Sequence, residues 1–226
     1  IIIRGGTDIN LFDSPLLLCR NSGLSFEQRL FKRIFDIVVS VIGLIILSPF
    51  MLIIAAAIKI DDGGSIIYKQ KRLTINGKEF FVYKFRSMIP NAEKNGVPQL
   101  ATGSDSRITR VGKFLRKCRL DELPQLFNII KGDMSVVGPR PERPELTEKY
   151  EREMPEFKFR LKVKAGLTGY AQVTGVYDTT PYDKLKMDLM YIERYSMVMD
   201  LRIILMTIKT MISPGEMNSE ADKEKY

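Results

Sequence analysis

The sequence predicts an α+β protein in which a re-entrant membrane anchor, helix–break–helix, precedes a small mixed domain carrying amphipathic interfacial helices. Three observations predict it. Ile37 to Ile58 is a run of 22 residues without a charge, with Ser48-Pro49 at its centre. Residues 65–88 alternate as strands do, and the later segments repeat apolar residues at helical spacing. At 226 residues the chain is long enough for one sizeable core or two small ones.

Residues 1–30 are expected to be a linker or the tail of a preceding module, because the chain opens on Ile1 with a strand-like Ile-Ile-Ile-Arg-Gly-Gly. Residues 31–62 form the anchor. At about 1.5 Å per residue the uncharged run is long enough to cross a hydrocarbon core of roughly 30 Å. Against a simple crossing, Pro49 removes a helix hydrogen bond at the midpoint, and each arm alone reaches about half the bilayer. Both flanks are also basic, with Arg29, Lys32 and Arg33 before and Lys59, Lys69, Lys71 and Arg72 after, where a single crossing is usually asymmetric. The economical model enters one leaflet, breaks at Ser48-Pro49 and returns, with the Ser48 hydroxyl helping to satisfy the freed backbone. A kinked crossing helix and a buried core helix are the alternatives.

Residues 63–214 make the mixed domain. Ser65–Arg72 and Lys78–Met88 read as strands, the second with Phe81, Tyr83 and Phe85 on an apolar face and Val82, Lys84 and Arg86 on a mainly basic one. Pro90–Gly103 is a polar loop. Ile108–Leu120 reads as a helix with Val111, Leu115 and Cys118 inward. A second helix follows Leu120, with Leu123, Leu126, Phe127 and Ile130 on one face, Asp121 at the N-cap and Pro124 in the first turn. Gly132–Arg143 is a tight loop, and Arg143–Arg160 a charged, solvated helix. Pro181–Tyr195 and Met199–Ile212 are amphipathic helices, the latter either core or membrane interface. Residues 215–226 are a charged tail of disordered composition.

The net charge of +8 is unevenly placed: Ser65 to Arg119 carries 13 Lys/Arg against 3 Asp/Glu. That block calls for an anionic partner, which nucleic acid, anionic lipid or a phosphorylated substrate would each satisfy. Two cysteines, Cys19 and Cys118, provide neither a disulfide framework nor a metal spacing. The chain has no histidine, so acid, base and nucleophile must come from other side chains.

This directs attention to the adjacent acids Asp121 and Glu122 and the Gly138-Pro139-Arg140-Pro141 loop shortly after. A carboxylate at a helix N-terminus among arginines suits phosphoryl chemistry, since the helix dipole favours its ionised form and attracts phosphate. Taken alone, a cap accounts for both acids without any chemistry. Arg116 and Arg140 are candidates for bidentate phosphate binding, although each cation is equally readable as a solvated surface charge.

Several segments, in order, resemble the monotopic phosphoglycosyl transferases, bacterial sugar transferases that begin polyprenol-linked glycan assembly. They are Lys32-Arg33-Ile34-Phe35-Asp36, Ser48-Pro49, Tyr83-Lys84-Phe85-Arg86-Ser87-Met88, Leu120 to Leu126, Lys131-Gly132-Asp133-Met134-Ser135, Gly138 to Pro141, and Gly166-Leu167-Thr168-Gly169-Tyr170-Ala171-Gln172-Val173. The resemblance covers Phe31 to about Ile212, and implies that 63–214 is the catalytic domain of a larger family member. It implies transfer of a sugar 1-phosphate from a UDP-sugar to polyprenyl (undecaprenyl) phosphate, with release of UMP. Asp121 is then the nucleophile that forms a covalent phosphosugar intermediate, and Glu122 its partner, with Mg²⁺ held by Asp121 and Glu122. Arg116, Arg140 and Lys84 would bind substrate phosphate and Pro139 and Pro141 the nucleotide. The expected place is the cytoplasmic face of the inner membrane, on one leaflet.

The rival from another class is a membrane-anchored, non-enzymatic binder of anionic lipid or nucleic acid. Two acids at the centre of the basic region argue against nucleic acid, because without a metal they repel a polyanion. A direct transfer on a metal dyad, with no covalent intermediate, is a third reading. The identity of the sugar and any homo-oligomer are left open by the sequence.

Overall fold

A computed structural model describes residues 6–11, 14–19, 24–89, 92, 105–175 and 179–212. The loop expected at Pro90–Gly103 falls almost wholly outside them, and so does the tail 215–226. Strands β1 (Gly6–Leu11) and β2 (Ser14–Cys19) pair antiparallel ahead of the anchor.

The anchor is one helix, α1 (Phe26–Asp62), which starts inside the stretch expected to be linker. A capping box starts it: Gln28 N donates to Ser25 Oγ at 3.2 Å and Ser25 N to Gln28 Oε1 at 2.9 Å. Gly63, left-handed at φ 69°, ends it. α1 is helical on both sides of Ser48-Pro49, with Pro49 inside it. The chemistry expected there is nevertheless present. Pro49 has no N–H for the Ile45 carbonyl, and the Ser48 hydroxyl donates to that carbonyl at 3.0 Å. Most of the apolar run is exposed, Ile45 by 69 % and Leu52 by 72 %. By length and composition α1 suffices to cross a membrane.

Both ends of α1 are tied to the same domain. Near its start, Lys32 Nζ reaches Asp200 Oδ2 at 2.5 Å and the Tyr191 hydroxyl at 3.1 Å, all buried. Arg33 donates to the Ile129 and Ile130 carbonyls at 2.6 and 2.7 Å, and Asp36 Oδ1 accepts from the Ser135 hydroxyl and Val136 N. Near its end, Ile54 and Ile58 bury against Phe85 and Leu115, and Asp62 pairs with Arg86.

β3 (Ile67–Leu73) and β4 (Glu79–Phe85) form an antiparallel hairpin, turning through Asn76 and Gly77 at φ 58° and 71°. The faces of β4 differ from the expected ones. Phe80 and Val82 are buried and Phe81 is 50 % exposed, while Phe85 belongs to the second core. The reason is that β4 sits between two cores, and the inner face of Phe80 and Val82 continues to Lys84, which has a counter-charge inside. α2 (Arg110–Lys117) is capped by Thr109, whose Oγ1 accepts from Gly112 N at 2.9 Å, and buries Leu115 as expected.

The helix expected from Leu120 begins later. Leu120–Glu122 is a 3₁₀ turn, and α3 (Gln125–Lys131) follows Pro124. Asp121 is therefore not an N-cap. Two pairs of i→i+3 bonds, from Glu122 N and Leu123 N to Arg119 O and Leu120 O and from Leu126 N and Phe127 N to Leu123 O and Pro124 O, tighten this entry. The buried face of α3 is Gln125, Leu126, Asn128 and Ile129, with Phe127 51 % exposed.

The stretch expected as a tight loop holds β5 (Ser135–Val137), which pairs in parallel with β6 (Gly166–Thr168). Here glycine is required by proximity: a Cβ on Gly166 would lie 2.1 Å from Gly138 N, and one on Gly138 2.4 Å from Lys164 O. The expected single helix 143–160 is α4 (Pro144–Glu153) followed by a 3₁₀ segment, Pro155–Lys162, because Pro155 cannot continue an α-helix. The short α5 (Tyr170–Thr174), then α6 (Pro181–Glu193) and α7 (Met197–Ile212), complete the domain. α7 buries Ile203 in the core and leaves Val198, Leu201, Leu205 and Ile208 exposed.

The Lys32–Asp200 pair is the most exposing to test. Lys32→Met leaves Asp200 buried with only Tyr191, and is expected to lower stability by about 3–5 kcal/mol. Thermal unfolding of the detergent-solubilised chain measures it. Lys32→Met/Asp200→Met should recover part of the loss, since no lone charge is then buried.

Candidate active site

Four separate pieces of backbone converge on the dyad. The 3₁₀ turn Leu120–Glu122 presents both acids after a reversal at Arg119, whose φ is 54°. β4 supplies Lys84, the loop after β5 supplies Arg140, and the last turn of α2 supplies Arg116.

The two acids sit in different surroundings. Glu122 is buried, and its Oε1 accepts from Lys84 Nζ at 2.8 Å and Arg140 Nη2 at 2.9 Å. Burial alone would raise the Glu122 carboxyl, but Arg140 and Lys84 hold it well below the usual carboxylate range. Asp121 is half-buried. Burial and the neighbouring Glu122 push its carboxyl up, opposed by Lys84, Arg116 and Arg140. Asp121 lies in the turn before α3 rather than at its N-cap, where the sequence placed it. The Lys84 ammonium is pulled down by its burial, with Glu122 opposing. An adjacent pair of carboxyls thus has its proton affinities driven apart, one by cations and the other by burial.

Further residues hold this arrangement. Asn128 is fully buried; its Oδ1 accepts from Tyr83 N at 2.9 Å and its Nδ2 donates to Phe81 O at 2.8 Å, fastening β4 to α3. Arg160 pairs with Asp188 at 2.6 Å in the interior, and its Nη2 donates to the Arg140 carbonyl at 3.0 Å. Arg72 donates to the Pro141 carbonyl at 3.0 Å. Sequence reading missed all three. A signal for Asn128 was its polar amide at helical spacing among apolar neighbours, whereas Arg160 and Arg72 carry no local mark.

Pro139 and Pro141 line a crevice of about 10 Å³ with Leu73, Thr74 and Phe157, room for about one water. They flank Arg140 in the loop after β5. Ser48 and Pro49 lie on α1. Among the described residues no three His, Cys, Asp or Glu side chains cluster. The dyad offers the Asp121 carboxylate, while Glu122 Oε1 is committed to two cations.

The family model described as bacterial sugar transferase matches residues 27–214. A UDP-glucose:undecaprenyl-phosphate glucose-1-phosphate transferase of Klebsiella pneumoniae is 43 % identical over 211 residues, covering 91 % of this chain and 43 % of the relative. A UDP-N-acetylgalactosamine-undecaprenyl-phosphate N-acetylgalactosaminephosphotransferase of Aeromonas hydrophila is 42 % identical over 185 residues, covering 80 % of this chain and 44 % of the relative. The chain thus spans less than half of these relatives. An exopolysaccharide production protein of Rhizobium leguminosarum bv. phaseoli, 40 % identical over 194 residues, is matched over 96 % of its length and 82 % of this chain.

The paired charges around Glu122 make a pH-dependent prediction. Glu122→Gln leaves Lys84 and Arg140 without their shared counter-charge, and at pH 7 is expected to cost about 1.5–3 kcal/mol. The folded-state value lies below the ordinary 4.5, so this stabilisation is present above about 4.5 and is lost as pH falls through the folded value. Melting curves of wild type and variant should therefore converge on acidification below the ordinary carboxylate range.

Proposed function

The chain belongs to the bacterial sugar transferase family, and from that premise we propose that it transfers a sugar 1-phosphate from a UDP-sugar to undecaprenyl phosphate, releasing UMP. The observation that carries the reading is the division of labour in the dyad. Glu122 Oε1 accepts from both Lys84 and Arg140, and the Asp121 carboxylate lies among the same cations with Arg116.

In this reading an Asp121 carboxylate oxygen attacks the phosphorus that bears the sugar. A bond forms between that oxygen and phosphorus, the bond from phosphorus to the bridging oxygen breaks, and the electron pair leaves on UMP. An undecaprenyl phosphate oxygen then attacks the same phosphorus, the aspartyl–phosphorus bond breaks, and the carboxylate is regenerated. Splitting the transfer lets two poorly miscible substrates be handled one at a time. Arg140 and Arg116 face the charge of the transferring group, and Glu122 holds Lys84 and Arg140 in position. Mg²⁺ fits beside Asp121, since it commonly takes one or two carboxylates with substrate phosphates and water, and when bound it supplies charge neutralisation. We assign Glu122 to positioning rather than to the metal.

We read α1 as re-entrant, on the cytoplasmic face of the inner membrane. Supporting this are the ties from both ends of α1 to one domain, the Ser48–Ile45 bond beside Pro49 and the basic flanks.

Asp121→Asn tests the chemistry. The wild type should release about one equivalent of UMP from UDP-sugar before any undecaprenyl phosphate is added, and carry a labelled phosphosugar. The variant should lose both with unchanged melting, since an amide is a far weaker nucleophile. A full UMP burst from the variant removes Asp121 from the mechanism.

The topology is tested separately. In a background with Cys19 and Cys118 replaced by Ser, cysteines introduced at Glu27 and Ser65 should both label from the cytoplasmic side. Labelling from opposite faces replaces the re-entrant anchor with a crossing one.

A further inference from the structure

A second basic site lies away from the dyad. Around the start of α1 is a cavity of about 290 Å³ lined by Leu24, Arg29, Lys32, Arg33, Asp36, Ile75, Ser135, Lys162, Val163 and Lys164. None of these is Asp121, Glu122, Lys84, Arg116 or Arg140. Five lining residues are cationic and one is a carboxylate.

The charges do not cancel. Lys32 is matched by Asp200, and Arg33 is spent on two backbone carbonyls without losing its charge. Asp36 Oδ1 is engaged by Ser135 and Val136. Arg29 and Lys164 have no hydrogen bond or ion pair from their side chains among the described residues. Lys164 is half-buried, and its ammonium is pulled down first by that burial and then by the Arg33 charge, with Asp36 and Asp133 opposing. Cations that outnumber the carboxylates around them repel one another, and an anion in the cavity relieves that repulsion. Phe26, Leu30 and Phe31 share the first turns of α1 with Arg29 and are exposed by 73, 50 and 64 %.

We propose that this cavity binds a phosphate group, through Arg29 and Lys164 with Lys162 alongside, and that the exposed apolar residues near Arg29 on α1 suit the acyl chains of an anionic lipid. The shared chemistry is a phosphate anion; a lipid headgroup and a free phosphate are its two sources. Because the site shares no residue with the dyad cluster, it does not depend on the transferase reading.

The test uses the detergent-solubilised full chain, with melting temperature read during titration with short-chain phosphatidylglycerol, short-chain phosphatidylcholine and inorganic phosphate. Phosphatidylglycerol is expected to stabilise saturably, and phosphatidylcholine to act at least about tenfold more weakly. Arg29→Gln/Lys164→Gln should weaken the phosphatidylglycerol effect about tenfold or more, and Arg140→Ala should leave it in place. Saturable binding of inorganic phosphate with the same sensitivity identifies a free-phosphate site, and its absence identifies a headgroup site. Equal stabilisation by phosphatidylcholine, no saturable effect from either anion, or an unchanged response in the double variant overturns the proposal. If the double variant does not fold, Arg29→Gln alone, on the exposed side of α1, must show a smaller loss of the same sign; no change there also overturns it.

Discussion

The constraint on which the site depends is one buried carboxylate shared by two cations. Glu122 accepts from Lys84 and Arg140, and each belongs to a different piece of backbone: a 3₁₀ turn, a hairpin strand and the loop beyond a parallel strand. Burying a charge is costly unless it is paired and hydrogen-bonded, so the three pieces are stable only in the register that brings these groups together. Asp121 follows from that arrangement. It shares the turn with Glu122 and lies among the same cations, yet its carboxyl is pushed up rather than down.

Around this centre the structure fixes backbone positions with polar side chains rather than with sheet pairing alone. Asn128 stands in for a neighbouring strand, accepting from and donating to β4. Arg160, neutralised by Asp188, and Arg72 hold the carbonyls of Arg140 and Pro141. Gly138 and Gly166 allow the loop and β6 to meet with no room for a side chain. Arg140 is therefore aimed by groups that never touch the dyad.

The same logic couples the anchor to the domain. Lys32, Arg33 and Asp36 lie within five residues on α1, and reach α6 and α7, the end of α3, and β5 respectively. Arg33 meets the C-terminal carbonyls of α3, where a cation is favoured. The other end of α1 closes on Phe85 and Leu115 and on Arg86. An apolar helix with most of its surface exposed is thus held at both ends by buried contacts.

By itself the sequence determined what local chemistry can decide. The uncharged run and its proline, the hydroxyl before that proline, the amphipathic segments at 181–195 and 199–212, and the adjacent acids near a Gly-Pro-Arg-Pro loop were all legible, because periodicity and proline chemistry act over a few residues. Only the tertiary structure decided the entry to α3, the inner faces of α3 and β4, the pairing of β5 with β6, and which acid takes the cations. These turn on partners far apart in the chain: Lys84 and Glu122 are 38 residues apart, Tyr83 and Asn128 45, and Lys32 and Asp200 168. Helical spacing placed Phe127 and Ile130 on the apolar face with Leu123 and Leu126. Asn128 is buried instead because β4 presents a carbonyl and an N–H that need a partner, and no local pattern announces where such a need will fall.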